Sequence, residues 1–268
     1  MAAINEIYNS ICFIEKNLKE PITVMDAAKS IGYSIFYFSR VFNAFTGHNP
    51  YDYIIRRRLS EAAKIIRQND EKITDIAFEY QFNNLETFSR AFKRMFGLTP
   101  NKYKTDHHIC KTAIKSPSNI EYLIHINTNN FFTPSLVEIK QLNLVGEIKE
   151  LSGKKARLHP SGRHSHIIAH EPHTCGKDIL KIAFSQVHSL ENIPDNSIGK
   201  TIPALSCIEF NHVSGNIEFT YEYIFQTWIP LSPYSFCKPY SIEFLGANSP
   251  SASDGYLPLK ILIPVQKV

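Results

Sequence analysis

The sequence predicts a multidomain chain, an all-α domain followed by an α+β domain, and three observations lead there. Its 268 residues are 43% hydrophobic, enough for two buried cores. The first hundred or so residues carry apolar side chains at helical spacing and contain an internal repeat. Beyond Tyr103 that pattern stops, and short apolar runs separated by turn residues replace it.

Ile4, Ile7, Ile11, Ile14 and Leu18 recur at steps of three and four, which lays one apolar stripe along a helix that must end before Pro21. Thr23 and Asp26 have capping-box spacing, so a short helix runs through Ala27 and Ala28 to about Ser30. Gly32 supplies the tight turn. Ser34 caps the next helix, whose apolar face includes Phe38, Val41, Phe42 and Phe45, and Gly47 closes it.

The same order returns about fifty residues later. Phe38-Ser39-Arg40-Val41-Phe42 matches Phe88-Ser89-Arg90-Ala91-Phe92, and Gly47, Pro50 and Tyr53 match Gly97, Pro100 and Tyr103. Upstream the register slips by one: Ala28 matches Ala77, Tyr33 matches Phe82, and Gln81 stands in the place of Gly32. Two duplicated helix-turn-helix units are therefore expected. Tyr51–Gln68 between them reads as one long helix with Ile55, Leu59, Ala62, Ala63 and Ile66 on one face. Eighteen residues span roughly 27 Å, so with the turns the second helices of the two units would stand about one DNA turn, ~34 Å, apart.

These residues resemble the AraC/XylS regulators, in particular the MarA/SoxS/Rob group, over about residues 5–105. The resemblance rests on the repeated FSR(V/A)F, on Ile76-Ala77 and Phe82, and on Phe92-Lys93-Arg94-Met95-Phe96-Gly97-Leu98-Thr99-Pro100. It implies that the second helix of each unit reads bases, with Phe36, Ser39 and Arg40 as candidates in the first unit and Leu85, Glu86, Ser89 and Arg90 in the second. An arginine can donate twice to guanine, Phe36 can contact a thymine methyl, and Glu86 can accept from a cytosine amino group although it also repels phosphate. Leu85 and Glu86 depart from the glutamines common in the family. Arg56, Arg57 and Arg58 are expected at phosphates or in water, and Arg57 is taken as the phosphate contact. The resemblance further implies a bacterial activator of stress or drug-response genes that contacts RNA polymerase and binds double-stranded DNA as a monomer, through the major groove over two successive turns.

Residues 1–108 are thus expected to be the DNA-binding domain and 109–134 a linker, with one strand at Ile120–Ile126. Residues 135–268 are expected as the second domain. Val137–Leu142, Leu144–Ile148, Leu205–His212, Tyr240–Leu245 and Leu259–Val265 read as strands, and Ile179–Val187 and Ile217–Trp228 as helices. Phe219–Trp228, Ser241–Phe244 and Leu262–Val265 resemble the closing half of a GyrI-like, Rob-type ligand-binding domain. That resemblance implies a small lipophilic cationic effector held by Glu243 with Tyr221, Trp228 and Tyr240. Here Glu243 is expected to be partly sheltered without being sealed. The alternatives are a hydrolase or a protein-interaction module.

Net charge is +4, too weak to mark a nucleic-acid binder by itself. Residues 1–108 hold 15 Lys+Arg against 12 Asp+Glu, so the DNA case rests on placement. No run of eighteen apolar residues occurs, and Glu6 stands where a secretory signal would want positive charge, so a soluble, cytoplasmic protein without a membrane partner is expected. The five cysteines are widely spaced and expected to be reduced and mostly buried. His159, His164, His166, His170 and His173, with Cys175, fit no metal motif: His170-Glu171-Pro172-His173 is one residue short of HExxH and carries a helix-breaking proline. With no GxSxG, P-loop or GxGxxG present, no catalytic residue, cofactor or metal is assigned. A nonspecific chromosome-coating protein is the remaining class, and it would lack the roughly 10³-fold or greater site preference of a regulator.

Overall fold

A computed structural model describes residues 2–68, 71–105, 115–128, 133–147, 166–170, 180–195, 197–212, 216–245 and 258–268. The chain divides into two compact units. The first comprises Met1–Asn127 together with Glu222–Leu231; the second comprises Thr128–Tyr221 and Ser232–Val268.

In the first unit, helices α1 (Ala2–Lys16), α2 (Val24–Lys29) and α3 (Ile35–Thr46) precede the long α4 (Pro50–Gln68), and α5 (Ile73–Glu79), α6 (Leu85–Phe96) and α7 (Pro100–Thr105) follow it. The expected caps are all in place. Thr23 and Asp26 close a full capping box, Ser34 accepts from the Tyr37 amide, and Gly47 ends α3 at φ 72°. The second repeat does the same work with Asn84 as N-cap and Gly97 at φ 75°. Phe38, Phe42 and Tyr53 stack in the first half, and Phe88, Phe92 and Tyr103 in the second. All six are fully buried.

The turns differ in one residue. Tyr33 N–H reaches Ala28 O and Phe82 N–H reaches Ala77 O, both at 3.0 Å, so Gln81 occupies the turn position of Gly32. Gln81 accordingly takes φ 64°, a left-handed conformation that costs a residue with a Cβ.

Residues expected as linker contain helix α8 (Ile120–Thr128) rather than a strand. Asn119 caps it by accepting from the Tyr122 amide at 2.7 Å, and Tyr122, Leu123 and Ile126 form its buried stripe. Residues 106–114 and 129–132 lie outside the described part. Helix α9 (Ile217–Tyr223) starts in the second unit, and from Glu222 the chain belongs to the first, through a π-helical turn, Ile224–Trp228, and a last turn, Ile229–Leu231.

The second unit is an antiparallel sheet of β1 (Ser135–Ile139), β2 (Leu142–Glu147), β3 (His166–His170), β4 (Leu180–Val187), β5 (Ser197–Ile202), β6 (Leu205–Asn211), β7 (Tyr234–Phe236), β8 (Tyr240–Leu245) and β9 (Pro258–Lys267). The order is β1-β6-β9-β8-β3-β4-β2-β5, with β7 on β9. Leu180–Val187 is a strand where the sequence suggested a helix. It pairs with neighbours on both sides, and Ala183 and Phe184, on opposite faces, are both buried, so the alternation that marks a strand is lost. Gly146 stands opposite Phe184, and a Cβ there would lie 2.9 Å from that ring. Ile168, Ile242, Leu262, Leu144 and Phe184 share the core of the sheet.

Candidate nucleic-acid interface

Helices α3 and α6 bury the same two positions, Phe38 and Phe42 in one and Phe88 and Phe92 in the other, and turn the same opposite face outward. Phe36 is 86% exposed, which no packing argument explains for so large an apolar side chain. Arg40 is exposed beside it and Ser39 half-buried; in α6 the corresponding Glu86 and Arg90 are exposed and Ser89 half-buried, with Leu85 exposed at the helix start. The base-facing candidates of each unit thus share one outward helix face.

The two arginines are held differently. The Arg40 guanidinium lies 5.5 Å over the Tyr37 ring. Tyr37 meets Tyr33 edge to face at 4.7 Å, and Tyr33 donates its hydroxyl hydrogen to Glu6, which pushes that phenol up to about 12. Arg90 instead donates to Glu86, one turn earlier, at 2.5 Å. Beside α6, Tyr51, Ile55, Phe82, Thr87, Arg90 and Arg94 line an open groove.

Arg57 corrects the expectation of a phosphate contact. It is 1% exposed and points into the first unit, where it grips Glu15 through Nε and Nη2 at 2.8 Å each, donates to Glu61 at 2.7 Å, and also donates to the Lys115 carbonyl. Burial alone would lower its pKa; the carboxylates of Glu15 and Glu61 reverse this and raise it. Arg58 is buried too, its guanidinium donating to the carbonyls of Leu18 and Glu20. Arg56 pairs with Asp52 at 2.7 Å. None of the three stands free for a phosphate.

Around Arg57 lies a buried polar cluster that sequence reasoning missed. The Lys115 amide donates to Ser60, Ser116 N–H to the Gln226 side chain, and Ser118 N–H to the Tyr53 hydroxyl. His48 Nε2 and Thr227 Oγ1 are 2.9 Å apart. Lys115 Nζ lies between the rings of Tyr53 and Tyr122, at 5.5 and 5.6 Å, and burial pulls its pKa to about 8. Burial likewise lowers His48 to about 3 and raises Glu222 above the usual carboxylate range. The partners are separated by up to 179 residues, so no local pattern could reveal them.

Of the effector candidates, Tyr221 and Glu243 come together: Tyr221 donates to the Glu243 carboxylate, and its hydroxyl is 2.8 Å from Ser241 Oγ. Glu243 is 0% exposed and therefore sealed, contrary to the expectation of partial shelter. Ile242 is equally buried, so both faces of β8 are covered here. Tyr240 is half-buried with Lys200 Nζ 5.2 Å over its ring. Trp228 belongs to the first unit, whereas the other three belong to the second.

Among the described residues no group of three His, Cys, Asp or Glu could hold a metal ion, and no helix is long and apolar enough to cross a membrane. His159, His164, His173 and Cys175 fall outside those residues, as does Cys110. Cys207 is buried and Cys237 half-buried, but Cys12 is exposed.

Comparison with known proteins finds two family matches. Residues 27–106 match the helix-turn-helix domain family, and residues 138–265 match the family of the integron-associated effector binding protein. The transcriptional regulator Rob of Salmonella typhimurium is 35% identical over 111 residues, which is 41% of this chain and 38% of Rob. The Tn10 TetD protein of Escherichia coli is 38% identical over 98 residues, covering 37% of this chain and 71% of TetD. A crystal structure of an AraC-type transcriptional regulator from Chromobacterium violaceum superposes with TM-score 0.37 at 25% identity, covering 38% of this chain and 90% of that one. The fold and the duplicated unit define a tandem helix-turn-helix protein. The chain belongs to the AraC/XylS family, in its MarA/Rob-like branch.

Proposed function

We propose that the chain is a cytoplasmic, sequence-specific DNA-binding transcription regulator that enters two successive major grooves with α3 and α6 and binds as a monomer. One observation carries this reading: both helices bury the same phenylalanine pair and leave the matching outward positions exposed, including an otherwise costly Phe36. Phe36, Ser39 and Arg40 then face bases in one groove, and Leu85, Glu86, Ser89 and Arg90 in the next. Activation of stress or drug-response genes through RNA polymerase is the regulatory outcome this reading assigns, as in the regulators it resembles. In a titration of the full chain, Arg40→Ala weakens the preferred site by about 1–3 kcal/mol and relaxes base choice there, with random DNA much less affected. Equal losses on specific and random DNA overturn the assignment of Arg40 to base reading.

The second unit is proposed to be a GyrI-like domain that binds a lipophilic cation at Glu243. Its match to an effector-binding family and a buried carboxylate beside Tyr221 favour this. Because Glu243 is buried, a ligand that reaches its carboxylate must displace groups now packed on it, and Tyr221 is one hydrogen-bonded neighbour. Calorimetry against a panel of lipophilic cations and anions tests the reading: cations bind, and Glu243→Gln abolishes their binding without changing DNA affinity. Absence of binding from the whole panel leaves a protein-interaction module as the reading.

A further inference from the structure

Arg40 and Arg90 hold equivalent places in the repeat, yet the residue one turn before each differs: Phe36 in α3, Glu86 in α6. Arg40 rests on a ring that leaves its full positive charge and its donors available. Arg90 is paired with a carboxylate at 2.5 Å, and both side chains of that pair are 75% exposed. An i,i+4 pair so exposed adds little to helix stability. It also does not cap the helix, because Asn84 already accepts from the Thr87 amide at 2.8 Å.

We propose that Glu86 is the specificity-determining residue of the second unit: with Arg90 it forms one composite reader of a G·C step, donor beside acceptor, that rejects other steps. The proposal rests on α6 being a base-reading helix. Guanine offers two acceptors, N7 and O6, in the major groove, and cytosine offers the N4 amino donor. Arg90 meets the first and Glu86 the second, so at the right step the carboxylate exchanges part of its contact with Arg90 for one with DNA. At a thymine O4 or a second guanine O6 the carboxylate faces another acceptor, and Arg90 stays tied to Glu86. The first unit, with an unneutralised arginine and the exposed Phe36, anchors the chain; the second filters sequences.

Selection of full-length chain on two libraries, one with the first half-site fixed and the second randomised and one with the reverse, tests this. Wild type enriches guanine with a cytosine at a neighbouring position of the second half, by about ten- to a hundredfold over the alternatives. Glu86→Gln loses the cytosine requirement, admits adenine, and binds random DNA several-fold more tightly with a salt slope steeper by about one. Glu86→Ala loses the requirement without gaining adenine. Preferences in the first half stay as they are, and unchanged thermal melting of both variants shows that the fold is intact. A Glu86→Gln profile with unaltered base preferences, whether affinity rises or not, overturns the proposal. If wild type enriches no sequence in either half, the DNA-reading assignment itself falls and takes this inference with it.

Discussion

Replacing Arg57 with alanine separates a structural arginine from a DNA-binding one. The side chain is 2% exposed and makes four hydrogen bonds, to Glu15 twice, to Glu61 and to the Lys115 carbonyl. Truncation leaves a carbonyl unsatisfied and two carboxylates without their shared cation. Breaking a buried pair by removing one partner costs about 3–5 kcal/mol. Glu15 and Glu61 keep 21% and 26% exposure, so water relieves part of that loss and the lower end, ~3 kcal/mol, applies. Against a typical total stability of about 5–15 kcal/mol this is a large fraction. Urea denaturation of Arg57→Ala should show a midpoint lowered accordingly with the same slope, while DNA affinity per folded molecule stays at the wild-type value. A variant as stable as wild type but weaker on every DNA sequence would refute this reasoning and restore the phosphate role.

Gln81 sits at φ 64° where the first unit has Gly32 at 72°. Gln81→Gly should shift stability by no more than about 0.5 kcal/mol, read as a nearly unchanged thermal midpoint, because relief of the left-handed strain is offset by the entropy a glycine adds to the unfolded chain and by loss of the Gln81 Nε2 hydrogen bond to the Lys19 carbonyl. Gly32→Gln should cost about 1 kcal/mol from backbone strain alone, since no atom lies within 4 Å of a Cβ placed there. His48 is neutral in the fold, with its pKa lowered from 6.5 to about 3 by burial, so stability is intact above about pH 6.5 and falls as pH drops toward 3 and the unfolded histidine takes up a proton. The slope is at most ~1.4 kcal/mol per pH unit, and His48→Gln should remove this part of the pH dependence of urea midpoints. Lys115, lowered from 10.5 to about 8, has the same sign at higher pH: stability rises between about 8 and 10.5, where the folded lysine is already neutral, and Lys115→Met should flatten that rise.

The first hundred residues were legible because their decisive interactions are local. A capping box needs three residues, a left-handed glycine one, and the buried pairs Phe38–Phe42 and Phe88–Phe92 are one helical turn apart. Arg57 was misplaced because its partners lie 42 and 58 residues away, in α1 and before α8, so its helix position alone said "polar face". A different reason turned Ile120–Ile126 into an expected strand. Its helical signals are local, Asn119 as cap and Tyr122, Leu123 and Ile126 at helical spacing, but so short an apolar run also reads as a strand. In the second unit Leu180–Val187 lost its alternation by being covered on both faces, and a short apolar run then reads equally well as a helix. Glu243 was found as a residue but not in its environment, since one of its hydrogen-bond partners is Tyr221, 22 positions earlier.

The repeat also shows which positions a duplicated unit can vary. Phe38 and Phe88, Phe42 and Phe92, Tyr53 and Tyr103, Gly47 and Gly97 are identical because each fills a core site or a left-handed cap that admits little else. The outward positions carry no such constraint, and there the copies part: Phe36 against Glu86, Tyr37 against Thr87, Ile35 against Leu85. Only Ser39 with Ser89 and Arg40 with Arg90 persist on that face. The two serines are half-buried, but solvent exposure alone would let the two arginines drift as readily as their neighbours. Retention of the arginines beside diverged residues is what the proposed base-reading role requires of these helices: one shared means of contacting guanine, with the flanking bases left to Phe36 or Glu86.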